Sequence, residues 1–332
     1  MRFMPRSRMI LLPLLFFAAF SFVAAQGDET VKIDTSIVRL NVGVVDQRGR
    51  PVTNLDKSSF RLYEDGVRQD IISFEPSTAP FSVVLILDMS GSTLPMRQVM
   101  KMSAFRFLDA LAPDDRVAVV EFYDKINLRN DFTTDRSSIA RSIDVSNGRG
   151  KTQFYKALDF SLDKLAREGS RRKAIIVLSD GVDTAAQDDD RDTLAKVADA
   201  QVPTAIVPEK NDMLTRVLRR ADLLGVTIYP LALPTGDPAR LVDPTPRQVA
   251  MYQASRVRLQ LVADRTGGTL HAINHLEDMG NLYATVAADI RTLYTIEYQP
   301  QNDKHDGKWR TISIKTENPN FISRTRPGYF AR

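Results

Sequence analysis

Residues 82–87 read Ser-Val-Val-Leu-Ile-Leu and run straight into Asp88-Met89-Ser90-Gly91-Ser92. An apolar run without alternation fits a strand covered on both faces, the condition of a parallel sheet flanked by helices. Helical patterning follows at once, with Met96, Val99, Met100, Phe107, Leu108 and Leu111 at spacings of three, four and seven until Pro113-Asp114-Asp115 ends the run. Strand and helix patterns then alternate through residues 117–122, 155–165, 174–178, 226–229, 269–273 and a last helix over 276–293. This succession predicts an α/β domain over residues 80–292 with a doubly wound, mostly parallel sheet.

The flanks follow a different rule. Val38, Leu40, Val42 and Val44 alternate with Arg39, Asn41 and Gly43, and Asp65-Gly66 supplies the positive φ angles of a tight hairpin. Alternation returns in Tyr294, Ile296 and Tyr298, then in Arg310, Ile312 and Ile314 after the turn at Asp306-Gly307. Neither flank is long enough to bury a core alone. Residues 26–79 and 293–332 are therefore predicted to pack together as a discontinuous antiparallel β-sandwich-like domain, with the α/β domain inserted between them. Two stretches, 188–214 and 234–256, break the pattern and read as linkers or recognition loops.

The first 25 residues have the pattern of a secretory signal. Arg2, Arg6 and Arg8 precede an apolar run that closes on Val23-Ala24-Ala25, and cleavage is expected before Gln26. The mature chain is thus expected in a periplasm or outside the cell, without a stable membrane span. Those three arginines carry most of the formal net charge of +4. A nearly neutral remainder lacks the basic stripe that phosphate backbones require, so nucleic acid is not an expected partner. The absence of cysteine excludes disulfides, thiolate metal sites and a thiol nucleophile, and three histidines leave little for zinc.

In open α/β sheets, ligands bind beyond the carboxyl ends of the strands. Asp88, Ser90 and Ser92 place oxygens at alternate positions of one loop there. Thr152, after Gly148-Arg149-Gly150-Lys151, and Asp180, at the end of the 174–179 strand, should lie on the same rim. Two carboxylates and three hydroxyls suit a hard divalent cation, Mg2+ first, with Mn2+ or Ca2+ compatible. Taken singly, each residue also reads as a helix cap or a turn former.

The pattern Asp88-x-Ser90-x-Ser92, then Thr152, then Leu178-Ser179-Asp180-Gly181 resembles the von Willebrand factor type A domain and its metal-ion-dependent adhesion site. Asp131-Phe132-Thr133 and Thr266-Gly267-Gly268 add supporting detail. The flanking patterns Tyr294-x-Ile296-x-Tyr298-x-Pro300, Asp306-Gly307-x-Trp309-Arg310 and Arg326-Pro327-Gly328-Tyr329 resemble an exported bacterial group, the VWFA-related proteins. The resemblance implies that Ser90, Ser92 and Thr152 ligate the cation directly while Asp88 and Asp180 act through water. It also implies a non-enzymatic protein-binding module whose partner offers an aspartate or glutamate to the ion.

Other chemistries fit less well. A magnesium-dependent phosphoryl transferase using Asp88 as nucleophile would place a carboxylate two residues on, where Ser90 stands. The Asp88 loop lacks the first glycine of a nucleophile elbow, and no histidine has a clear claim as base. His271 and His275 are spaced like a zinc pair but lack the adjoining glutamate, and His271 falls in a predicted strand. Asp183, Asp188, Asp189, Asp190 and Asp192 read as a solvated acidic loop rather than a calcium site. Tyr294, Tyr298, Trp309 and Tyr329 fit a β core better than a carbohydrate platform. An exported scaffold whose cation only stabilises the loops remains the alternative to adhesion.

Overall fold

The computed structural model describes residues 37–331. The expected signal segment and its cleavage point lie outside the described residues. The first flank forms β1 (Val38–Val45), β2 (Phe60–Glu64), β3 (Val67–Gln69) and β4 (Ile71–Glu75). The central region forms β5 (Phe81–Asp88), α1 (Arg97–Asp109), β6 (Arg116–Phe122), β7 (Ile126–Thr133), α2 (Arg136–Val145) and α3 (Phe154–Ala166). It continues through β8 (Arg172–Ser179), α4 (Thr184–Ala195), α5 (Val202–Ala205), α6 (Asp212–Leu224) and β9 (Thr227–Ala232) to α7 (Pro246–Thr266), β10 (His271–Ala272) and α8 (Met279–Thr292). The second flank adds β11 (Tyr294–Tyr298), β12 (Trp309–Thr316), β13 (Ile322–Arg324) and β14 (Gly328–Phe330).

The central sheet has the order β10-β9-β8-β5-β6-β7 and is parallel except for β7. Every residue of β5 and β8 is buried, as continuous apolar runs in a doubly covered sheet require. Leu85, Met100, Phe107, Ile139 and Tyr283 share the core under α1, α2 and α8 on one face. On the other, Val84, Phe154, Leu158, Val217 and Leu259 pack beneath α3, α6 and α7. The sequence reading did not separate β7 as a strand. Its Asn127, Arg129, Asn130 and Asp131 interrupt the apolar pattern because β7 is an edge strand in which only Phe132 is buried.

The chain leaves β5 for β6 and β7 on one side, then crosses back to β8 and proceeds the other way. The β5/β8 boundary is therefore the topological switch point, where loops diverge and leave a crevice.

Two antiparallel sheets, β13-β1-β11-β4 and β14-β12-β2-β3, each draw strands from both ends of the chain. Leu40, Val42, Phe60, Leu62, Tyr294 and Ile296 are buried together between them. Asp65 and Gly66 have φ of +48° and +81°, the turn expected between β2 and β3. Tyr294 and Tyr298 are core residues, and the Tyr298 and Tyr329 hydroxyls donate to Glu64 Oε2 at 2.6 and 2.9 Å. Arg326 joins this part to the α/β layer by donating to the Asp222 carbonyl of α6 at 2.6 Å.

Both irregular stretches contain regular structure. Residues 188–195 complete α4, whose buried positions are Ala186, Asp190 and Leu194. This corrects the solvated-loop reading: Asp190 is buried and forms a two-pronged ion pair with Arg258 at 2.6 Å on both arms. Asp183 caps α4 by accepting from the Ala185 and Ala186 amides. An aspartate in the middle of the inward face erased the apolar period that would have signalled the helix. The second stretch ends in the first turns of α7, opened by a Thr245/Gln248 capping box. Among the described residues, no helix is long and apolar enough to cross a membrane.

Candidate metal centre

β5 and β8 are parallel neighbours with Leu87 paired to Leu178, so Asp88 and Asp180 emerge side by side at the switch point. After Asp88 the chain leaves the sheet, and Ser90 stands at the N-terminal end of a short 3-10 turn over Gly91–Met96, its hydroxyl left free of any capping bond. The Thr93 hydroxyl donates back to the carbonyls of Asp88 (2.8 Å) and Ser90 (3.1 Å), fixing the turn from inside. Ser90 and Ser92 thereby project from one tight loop, Ser90 fully buried and Ser92 exposed.

Four of the five expected residues are joined by hydrogen-bond contacts, and the fifth, Thr152, lines the same cleft. The Ser90 amide donates to Asp88 Oδ1 at 3.0 Å, Ser90 Oγ lies 3.2 Å from Ser92 Oγ, and Ser92 Oγ donates to Asp180 Oδ2 at 2.9 Å. This run of contacts crosses from the β5 loop to the β8 loop. Thr152 arrives from the loop before α3. Its amide donates to the Thr184 hydroxyl and its carbonyl accepts from the Thr184 amide, both at 2.9 Å, which ties it to the start of α4. Ser92, Thr152 and Asp180 line one cleft of about 410 Å³, with Asp88 and Ser90 beneath them.

The electrostatics of the cluster are unusual for carboxylates. Asp88 has no solvent exposure. Burial, then the neighbouring charge of Asp180, pushes it up to about 7 from an ordinary 3.8, against the hydrogen bonds from Ser90 and Ser179 that favour the ionised form. Burial raises Asp180 as well, opposed by its bonds from the Val182 amide and Ser92 and by the charge of Arg256. Two carboxylates that hinder each other's ionisation inside the protein are a place where added positive charge is favoured. With three hydroxyls and no sulfur or nitrogen, the donor set fits a hard cation. Among the described residues no three His, Asp or Glu side chains converge, so the anionic part of the cluster is this pair.

Four supporting residues were not anticipated. Arg97, the first residue of α1, donates to the carbonyls of Met89 (2.7 Å), Ser90 (3.1 Å) and Gly148 (2.6 Å) and to Asn147 Oδ1 (2.7 Å), gripping the loops that carry Ser90 and Thr152. Ser179 donates to Asp88 Oδ2 at 2.7 Å. Thr184 holds Thr152, and the positive charge of Arg256 favours the ionised form of Asp180. A hydroxyl beside Asp180 in Leu178-Ser179-Asp180-Gly181 was a usable signal for Ser179; a guanidinium reaching between loops leaves none. His271 lies in β10, with its imidazole held below the usual range by burial, against the charge of Asp289.

Residues 83–182 match the family model of the von Willebrand factor type A domain. The matched stretch lies within the α/β layer, which has the von Willebrand factor type A kind of α/β fold, a mostly parallel sheet with helices on both faces. No curated protein matches the chain. Among solved structures, the chain is similar to a von Willebrand factor type A protein from Catenulispora acidiphila (12% identity, TM-score 0.47), covering 91% of this chain and 64% of that one. It is also similar to the vWF domain of the type V pili tip protein Mfa5 from Porphyromonas gingivalis (17%, TM-score 0.45), covering 64% of this chain and 97% of that one. For BatB from Bacteroides thetaiotaomicron the values are 14% and 0.42, with 63% and 98% covered.

Proposed function

We propose that Asp88, Ser90, Ser92, Thr152 and Asp180 hold a divalent cation of the magnesium class, and that the chain is an exported, adhesion-type binding module whose protein partner presents an aspartate or glutamate there. The observation that carries this reading is the continuous contact run from Asp88 through Ser90 and Ser92 to Asp180 at the mouth of a cleft. A bound cation would supply a Lewis-acidic centre with an exchangeable position for a carboxylate. The protein's own part is to fix the donors. Ser179 and the Ser90 amide orient Asp88, the Val182 amide orients Asp180 at 3.1 Å, and Thr184 sets the height of Thr152. Neutral hydroxyls as direct ligands, with both carboxylates acting through water, would leave the ion electrophilic toward a partner's anion.

The surroundings of Asp88 support binding over phosphoryl transfer. Both its oxygens accept hydrogen bonds inside the protein, and the side chain has no exposed surface from which to attack phosphorus.

The test pairs calorimetric titration of the mature chain with Mg2+ or Mn2+ and capture of partners from the source cell envelope in magnesium or chelator. Cation binding with capture that is lost on chelation while the fold survives supports the proposal. Chelation that melts the protein, with no partner in either condition, transfers the ion to a purely stabilising role. Failure to bind either ion refutes the site.

A further inference from the structure

The cleft over Ser92, Thr152 and Asp180 extends beyond them. A carboxylate displaces roughly two waters, about 60 Å³, so most of the cleft's 410 Å³ is left for whatever carries that carboxylate. Its far wall comes from the 234–256 stretch, where Leu241, Met251 and Tyr252 line it. Leu241 is 45% exposed and the adjoining Val242 99% exposed. Leu241, Met251 and Tyr252 give this side of the cleft an apolar lining opposite the polar groups, the mixed lining of a ligand site. The wall is also braced. The Arg256 guanidinium sits 4.8 Å from the Tyr252 ring centre and donates to the Leu233 carbonyl, while the capping box at Thr245 and Gln248 fixes the start of α7. Lys151 lines the cleft as well, adding a positive charge.

Resting on the cation reading above, we propose that this cleft is a second subsite of the same binding surface. Its ligand is a peptide segment in which the acidic residue is immediately next to a large apolar residue, whose side chain lies against Leu241, Met251 and Tyr252. Charge and shape agree: the end with Asp180 and Lys151 selects an anion through the ion and the ammonium, and the other end offers aliphatic, thioether and ring surface. The stretch that interrupts the regular strand–helix pattern thus sets which acidic sequences are accepted.

The experiment uses the mature chain in magnesium and dye-labelled hexapeptides of the form Gly-Gly-Asp-X-Gly-Gly and Gly-Gly-X-Asp-Gly-Gly, with X glycine, serine, leucine or phenylalanine, read by fluorescence anisotropy. Burying one such side chain predicts affinity at least about tenfold higher for leucine or phenylalanine than for glycine. Met251→Ser, which adds no charge to the cleft, should abolish that preference while Mn2+ is still bound, read by electron paramagnetic resonance. Leu241→Asp, at an exposed loop position that does not test folding, should reduce it. Normal Mn2+ binding with equal affinities for all X, with no peptide bound, or with the preference intact in both variants overturns the subsite alone. Absence of Mn2+ binding overturns the cation reading and the subsite with it.

Discussion

Replacing Asp88 by asparagine should stabilise the metal-free protein, the opposite of what most changes at a buried site do. Asp88 is raised from 3.8 to about 7. The shift opposes the ionised folded state above neutral pH, because burial and the charge of Asp180 both disfavour it. Asparagine keeps the shape of the protonated acid. It cannot accept at both ends, however, and the Ser179 hydroxyl, which already accepts from the Gly181 amide, must reorient. A misfit of that kind costs about 1–2 kcal/mol and offsets only part of the gain from removing the buried charge. The sign follows from linkage. A group whose folded value is raised contributes stability that is complete below its unfolded value of 3.8 and is lost as pH rises through about 7. In chelator, wild-type stability should therefore fall from about pH 5 to about pH 8 more steeply than that of Asp88→Asn. Saturating magnesium should reverse the order, since a ligand at 100 times its Kd adds about 2.7 kcal/mol to the binding-competent chain. Urea unfolding of both proteins, at both pH values, with chelator or magnesium, measures all of this. A variant less stable than wild type in chelator at the higher pH, or one stabilised equally by magnesium, refutes the reasoning.

Three further outcomes are expected. Asp190→Asn leaves the buried Arg258 guanidinium without its counter-charge and should cost about 3 kcal/mol or more in urea unfolding, with Asp190→Leu/Arg258→Met recovering most of the loss. Gly150 has φ of +103°, and a Cβ there would stand 2.3 Å from Asp124 Oδ2. Gly150→Ala should thus lower stability by about 1–3 kcal/mol and weaken Mn2+ binding by displacing Thr152; unchanged titration curves would refute the second part. Arg97→Met removes donors to three carbonyls and to Asn147, and should cost about 3 kcal/mol while weakening Mn2+ binding; a variant normal in both measurements would show that the loops hold without it.

The strand–helix alternation was legible because β5 and β8 are covered on both faces and cannot tolerate polar residues along most of their length. The flanking sheets were legible for the complementary reason: β1 buries Val38, Leu40, Val42 and Val44 while its alternate residues face outward. Where inward positions carry charge the signal failed. α4 directs Asp190 inward between Ala186 and Leu194, and its partner Arg258 is 68 residues further on, so neither residue alone announces a buried pair. β7 failed differently, since an edge strand needs no continuous apolar face.

The convergence of Asp88, Ser90, Ser92, Thr152 and Asp180 could be anticipated because strand ends are fixed points. Parallel pairing puts Asp88 beside Ser179 and Asp180 whatever the intervening loops do, and a helix start anchors Thr152. The residues that hold these donors in place follow no such rule. Arg97 acts through a long side chain that bonds to backbone carbonyls, and carbonyls are present at every position, so its targets leave no trace in the sequence. The same holds for Arg256, whose guanidinium meets the Leu233 carbonyl, the Tyr252 ring and the field of Asp180. Both arginines already place positive charge near the carboxylate pair, yet Asp88 remains raised, because desolvation and Asp180 outweigh the hydrogen bonds that favour its ionised form. The contact run from Asp88 through Ser90 and Ser92 to Asp180, more than the matching of motif letters, is the physical reason to propose a dication among these oxygens.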